Sequence, residues 1–373
     1  MSPNFRFGVV SDLHIGLPHT IWNSPSRFHL VEVSLPALEL ILDRLKQEEL
    51  DFLLLPGDLT QHGEPDNHAW LQKRLSQLPF PVYVVPGNHD VPNLLPDERS
   101  IGLKDFPQYY HQFGYNNLEQ LYYTCEVLPG VQLIGLNSNQ FDDSGKQLGR
   151  LDEPQLAWLE QVLRESKDKL VLVMLHHNVL EHLPDQSHHP LGRRYMLENA
   201  PVLLKILKAA GVNLIFTGHL HVQDVACDED VYEITTGSLV SYPHPYRILE
   251  LRTDEGGQKW LQIESHRVKS VPGWENLPEV SREWIGDRSY PFMLKLLTAE
   301  PLNLSVGDAE KLVPSLRYFW ADIAAGDPVF DFPDFSPAAR RYFEAFGAIA
   351  SDGKPALIDN HTTLLVKNPT LLR

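Results

Sequence analysis

Five apolar runs each end within a few residues of an aspartate, asparagine or histidine, and this recurrence limits what the chain can become. Pro81-Val82-Tyr83-Val84-Val85 passes through Pro86 into Gly87-Asn88-His89-Asp90. Phe7-Gly8-Val9-Val10 precedes Asp12-Leu13-His14, and Phe52-Leu53-Leu54-Leu55 precedes Gly57-Asp58. Leu170 to Leu175 leads to His176-His177-Asn178, and Leu214-Ile215-Phe216 leads to Gly218-His219-Leu220-His221. Short apolar runs closed by turn residues read as buried strands. Strand ends that gather carboxylate, amide and imidazole groups point to a metal site. Side chains two apart in extended backbone point the same way, so Asp12 and His14 can serve one ion. Gly57, Gly87 and Gly218 suit tight turns where backbone passes close to an ion.

Helical patterns fall between these strands. Leu35, Leu38, Leu42 and Leu45 make one amphipathic face, Pro65 can open a second helix, and 152–164 and 199–210 give two more. Further strands are expected over 131–136, 231–236, 246–251 and 259–268. This alternation implies an α/β fold with right-handed crossovers and a largely parallel core. Residues 17–30, with Trp22, Pro25, Arg27 and His29, read as a loop, and 91–129 as mixed structure, partly helical at 106–110. The polar stretch 181–194 contains His182, His188, His189, Arg193 and Arg194; it reads as a solvated loop before it reads as a substrate contact. Isolated histidines such as His19, His62, His68, His111, His244, His266 and His361 read as ordinary residues. From about Val271, Pro272, Gly273, Pro278 and Pro291 punctuate a connection, followed by helical pieces near 292–299, 308–325 and 336–350. The expected division is therefore a catalytic domain over 1–270 and a mostly helical extension over 271–373. Its apolar faces, with Tyr342, Phe343 and Phe346, suit substrate access or an oligomer interface, so a homo-oligomer is one expectation.

Length and charge narrow the function. With 373 residues the chain can bury a large core, and 43 % hydrophobic with 22 % charged residues is the balance of a soluble globular protein. A formal net charge of −17 and the lack of a basic, aromatic stripe disfavour binding to long nucleic acid. Two cysteines, Cys125 and Cys227, fit a reducing compartment better than a disulfide framework. The polar start, Met1 to Arg6, carries no signal-peptide pattern, and no run approaches the length of a membrane span. A cytoplasmic location is the resulting expectation.

The ordered set D-x-H, G-D, G-N-H-D, H and G-H-x-H resembles the calcineurin-like metallophosphoesterase superfamily. Within it, the short spacings resemble the class III cyclic-nucleotide and glycerophosphodiester phosphodiesterases. The similarity spans roughly residues 5–250 and includes Gln155-Leu156-Ala157-Trp158-Leu159 and Tyr242-Pro243…Tyr246-Arg247. It implies a four-layer αββα sandwich of two mixed β-sheets and two divalent or trivalent ions, with manganese, iron and zinc all suited to the N/O donors. Asp12, His14, Asp58 and His221 are implied for one ion, and Asp58, Asn88, His176 and His219 for the other, with Asp58 bridging. Asn88 and His89 are implied at the substrate, His89 as the acid facing the leaving group and Asp90 as the residue that orients it. Asn178 stands where relatives often have proline. The implied reaction is hydrolysis of a small phosphodiester by in-line attack of a metal-bridging hydroxide. Two ions contribute +4 against −2 from Asp12 and Asp58, so the cluster is positive within an acidic protein. A nuclease or a nucleotide-pyrophosphate hydrolase of the same superfamily is the alternative enzyme, and a binding scaffold that has lost catalysis the alternative class.

Overall fold

The computed structural model describes residues 4–22, 27–189, 192–348 and 358–367. In chain order the strands are β1 Phe5–Val9, β2 Phe52–Leu55, β3 Val82–Val84, β4 Tyr123–Leu128, β5 Val131–Gly135, β6 Asn139–Phe141, β7 Gln147–Gly149, β8 Leu170–Met174, β9 Leu214–Thr217, β10 Asp224–Asp228, β11 Val231–Thr235, β12 Pro245–Thr253, β13 Lys259–Arg267 and β14 His361–Val366. The α-helices are α1 Ser34–Leu45, α2 Pro65–Leu75, α3 Phe106–Tyr109, α4 Glu153–Glu165, α5 Ala200–Ala209, α6 Leu277–Thr298, α7 Val306–Leu312, α8 Phe319–Ala324 and α9 Pro337–Glu344. Pro25 and the end of the helix expected over 336–350 lie outside the described residues.

Two six-stranded sheets carry the fold. One has the order β14-β13-β12-β1-β2-β3, the other β10-β11-β9-β8-β5-β4. β1, β2 and β3 pair in parallel, as do β5, β8, β9 and β11, while the flanking strands are antiparallel. The period of two in the sequence decides the layers. Leu133, Leu172, Met174, Leu214 and Phe216 face the core between the sheets, and Phe216 meets Phe7 of the other sheet edge-on at 5.5 Å. Ile134, Val171, Val173 and Ile215 face the opposite way, onto Leu156 and Leu159 of α4 and Leu203 and Leu207 of α5. Gly8 lies against Leu45 of α1 on the outer side of the first sheet. Helices therefore cover both outer faces, the four-layer α/β arrangement expected.

Three features depart from the expected elements. The stretch around Pro278 and Pro291 is one helix, α6, with Pro278 in its first turn and Pro291 inside it. An interior proline costs a helix about 3 kcal/mol. Burial of Leu277, Ile285, Met293, Leu296 and Leu297 on α6 outweighs that, since each contributes roughly 1.5–3 kcal/mol. Leu277 and Trp284 pack with the large core cluster that includes both sheets and α1, whereas Met293, Leu296 and Leu297 pack with α7, α8 and α9, so α6 joins the two. The helix expected over 308–325 breaks into α7, a 3-10 turn at Val313–Leu316 and α8. Finally, the region after residue 270 is not helical throughout: β14 returns to pair antiparallel with β13 and forms the edge of the first sheet.

Candidate metal centre

Past the ends of β1 and β2 the backbone pairing continues into the loops, with the amides of Asp12, His14 and Ile15 donating to the carbonyls of Gly57, Asp58 and Leu59. The two loops therefore run side by side and bring Asp12 and His14 next to Asp58. Asp12, His14, Asp58, His219 and His221 all hold left-handed backbone, with φ of 52°, 42°, 50°, 68° and 61°. Side chains larger than glycine rarely adopt this conformation, and such strain gathers at sites where geometry is imposed by function. A Cβ on Gly87 would collide with the backbone and carboxylate of Asp58, and one on Gly218 with Ser11 and Asp12. Glycine at these positions is a matter of close approach.

The side chains form two donor groups that share Asp58. The ligand atoms of Asp12, His14, Asp58 and His221 lie within 4.8 Å of one another, as do those of Asp58, His176 and His219. His221 Nε2 is 3.0 Å from Asp12 Oδ1 and 3.3 Å from His14 Nε2, and His14 Nε2 is 3.7 Å from Asp58 Oδ2. On the other side His176 Nε2 stands 3.3 Å from Asp58 Oδ2 and 3.1 Å from Asn88 Oδ1. With metal–ligand bonds of about 2.0–2.2 Å, neighbouring donors on one ion stand about 3–3.5 Å apart. The observed spacings of 3.0–3.3 Å match that requirement and the 3.7 Å between His14 and Asp58 lies just beyond it, so the residues fit two ions. Pro56 carbonyl accepts from His176 Nδ1 at 2.8 Å, which aims Nε2 inward, and the Arg194 carbonyl lies 3.3 Å from His219 Nε2, which leaves Nδ1 for the centre.

Protonation fits the same purpose. Burial, then His29 and His89, lower His14 well below the ordinary histidine value, and burial with His177 and His176 does the same for His219. Both shifts favour the neutral imidazole, the form that donates a lone pair to a metal. Burial disfavours charge on Asp58, yet His176 and His89 outweigh it and hold the carboxyl well below its usual range. His176 is the counterpart: burial opposes its charge, but Asp58 raises it to about 9.

The neighbouring residues divide into those that face this centre and those that hold it. His89 Nδ1 donates to the Gln61 carbonyl at 2.6 Å, and its backbone amide donates to Asp58 Oδ1 at 2.8 Å. The expectation that Asp90 orients His89 is corrected. Fully buried Asp90 accepts from the amides of Leu59, Thr60 and Gly87 and from the Thr60 hydroxyl, so it ties the Asp58 loop to the Asn88 loop. A carboxylate with that many oriented backbone donors has little left for an adjacent imidazole. Of the histidine pair, His176 turns to Asp58 and Asn88, whereas His177 Nδ1 meets the Ser138 hydroxyl at 2.8 Å. Arg194 lines the cavity in front of the centre and lies over the Tyr195 ring, while Arg193 is exposed and outside that lining. His188 is exposed and pairs with Asp185.

Residues 5–223, more than half of the chain, match the calcineurin-like phosphoesterase family. The chain belongs to that family. It is 29 % identical over 208 residues to a probable glycerophosphodiester phosphodiesterase of Arcobacter nitrofigilis, covering 55 % of this chain and 67 % of the relative. It is 25 % identical over 257 residues to the 3',5'-cyclic adenosine monophosphate phosphodiesterase of Haemophilus influenzae, covering 65 % and 84 %. A dimetal phosphatase from Danio rerio shares the fold, with a TM-score of 0.53 at 18 % identity over 71 % of this chain and 97 % of that one.

Several parts of the site in this calcineurin-like phosphoesterase carry little signal in the sequence. His29, read as part of a loop, has its ring 4.2 Å from that of His14 and 4.8 Å from that of His221, and joins them as a third group of possible ligands. His62, read as an ordinary residue, stacks on His89 at 5.6 Å. Buried Glu233 accepts from the amides of Val179 and Leu180, the Thr217 hydroxyl and the Asn178 amide, and so shapes the turn after His176. Asn178 is thus a donor to this carboxylate through its side-chain amide. Only β11 alternation could have marked Glu233, as a charged residue on the buried face of a strand.

Proposed function

We propose that the chain is a dinuclear-metal-dependent phosphodiesterase acting on small diesters of the cyclic-nucleotide or glycerophosphodiester type, the activities named for its relatives. The observation that carries this reading is one buried carboxylate, Asp58, shared by two donor groups with His89 beside it. Asp12, His14, Asp58 and His221 would hold one ion; Asp58, Asn88, His176 and His219 would hold the other. Manganese, iron and zinc all suit this set. When bound, the ions supply Lewis acidity at the phosphate and a nucleophile generated from water near neutral pH. Asn88 and His89 face the cavity where the phosphate would sit. With the Nδ1 proton of His89 fixed on the Gln61 carbonyl, a second proton on Nε2 makes the acid form. Its transfer to the departing alkoxide leaves a neutral imidazole in the tautomer that bond already selects. The helices after residue 270 reach the same cavity, which supports a role for that region in substrate access, with residues 1–270 carrying the chemistry. Free thiols at Cys125 and Cys227 support a reducing, cytoplasmic location.

Elemental analysis of the purified protein, combined with turnover of bis(p-nitrophenyl) phosphate against p-nitrophenyl phosphate, tests the reading. Two ions per chain and faster hydrolysis of the diester are expected. Preference for the monoester, or no diester turnover with two ions bound, would contradict it.

A further inference from the structure

The centre opens into a cavity of about 480 Å³ whose two sides differ in chemistry. One side is Asn88, His89, His219 and His221. The other comes from the helices after residue 270: Ile285, Phe292 and Leu296 of α6, Trp320 of α8, and Tyr342 and Phe346 at α9. Behind this wall Met293, Leu297 and Phe343 are fully buried, and the aromatic side chains in front pack against them while staying only partly covered. Phe292, Trp320, Tyr342 and Phe346 are only half-buried, and the Phe292 and Trp320 rings meet edge-on at 5.6 Å. Aromatic side chains that pack at the edge of the helix cluster, stay half-exposed and line the cavity in front of the centre leave apolar surface for a ligand to cover. A glyceryl or methyl arm on the phosphate would leave most of that wall wet.

We infer that the preferred substrate is a phosphodiester carrying a bulky apolar arm, which packs on α6, α8 and α9 while its phosphate sits at the centre. The inference rests on the phosphodiesterase reading and narrows its substrate class. A ring and an alkyl chain share the required chemistry, and substrates bearing each separate them. Three diesters with a methyl, phenyl or octyl second arm keep the p-nitrophenyl leaving group the same while changing the arm, and the methyl and octyl pair also share the intrinsic reactivity of an alkyl spectator group. The full-length, metal-loaded protein should show kcat/KM at least tenfold higher for the octyl or the phenyl diester than for the methyl one. Each of Trp320→Gln and Phe292→Gln should bring that ratio down toward one with the metal content unchanged. Two separate positions guard against one variant that misfolds, which circular dichroism would reveal. Rates within threefold across the three arms, or a ratio unaltered in both folded variants, would overturn the inference. If none of the diesters turns over, the phosphodiesterase reading fails, and calorimetric binding of octyl phosphate against methyl phosphate decides the pocket alone. Tenfold tighter octyl phosphate supports it and equal affinity overturns it.

Discussion

At the scale of single residues, the centre depends on a few atoms that cannot be moved. Gly87 has no room for a methyl group beside Asp58, so Gly87→Ala should displace the shared carboxylate. Its metal content, read by elemental analysis, should fall well below that of the parent while far-ultraviolet circular dichroism stays the same; full retention of both ions would contradict the close-approach argument. His89→Ala has a different signature. It should keep the metals yet lower kcat by about 10²–10⁴ on a diester with an alkoxide leaving group, the range of general acid catalysis. With p-nitrophenolate, which departs without a proton, the loss should be much smaller. Equal losses on the two substrates would remove His89 from the acid role. These residues were legible because each follows an apolar strand in a fixed order. His29 and Gln61 were not, because loop residues gain their partners only when the chain folds back on itself.

Among the elements, the turn after β8 rests on Glu233 of β11. Its carboxylate also stands 3.2 Å from the buried ring of His182, which in turn meets Asp224 at 2.6 Å. Burial opposes charge on His182, but Glu233 and Asp224 raise it to about 10. A histidine raised in the folded state contributes stability that is complete below about pH 6.5, its unfolded value. That contribution is lost as pH rises from there toward about 10. Melting temperature should accordingly fall across this window, and less steeply in His182→Gln; parallel curves would exclude the linkage. Glu233→Gln removes the charge facing His182 Nε2 while Asp224 still faces Nδ1, so it should destabilise by less than the about 3–5 kcal/mol of a buried pair broken outright. Chemical denaturation measures it. Strands and helices with clear periodicity were readable, within a few residues, from sequence. α6 was not, because Pro291 signals a break that only tertiary burial overrides, and β14 was not, because a short lone edge strand is defined by its partner β13.

Over the whole molecule, the region beyond residue 270 is tied to the catalytic core at more than the cavity. Arg247 of β12 is fully buried, donates to the Asp359 carbonyl and to Ser265, and is held down to about 10 by burial. Asp359 leads into β14, so removal of residues 358–373 should expose the β13 edge and strip a partner from a buried cation. Such a truncation should lower the melting temperature of the entire protein in one transition; an unchanged melting temperature would show the last strand to be dispensable. The same interlocking explains why a boundary near 270 looked plausible in sequence: the composition changes there, while the pairing that crosses it is between residues about a hundred positions apart. The fold, the helices and the loops all converge on two donor groups with one carboxylate in common, and the most direct measurement is the metal stoichiometry of Asp58→Ala beside the parent chain. Two ions per parent chain, with loss of both and of diester turnover in the variant, is the predicted result. Two tightly bound ions in Asp58→Ala would contradict the shared centre.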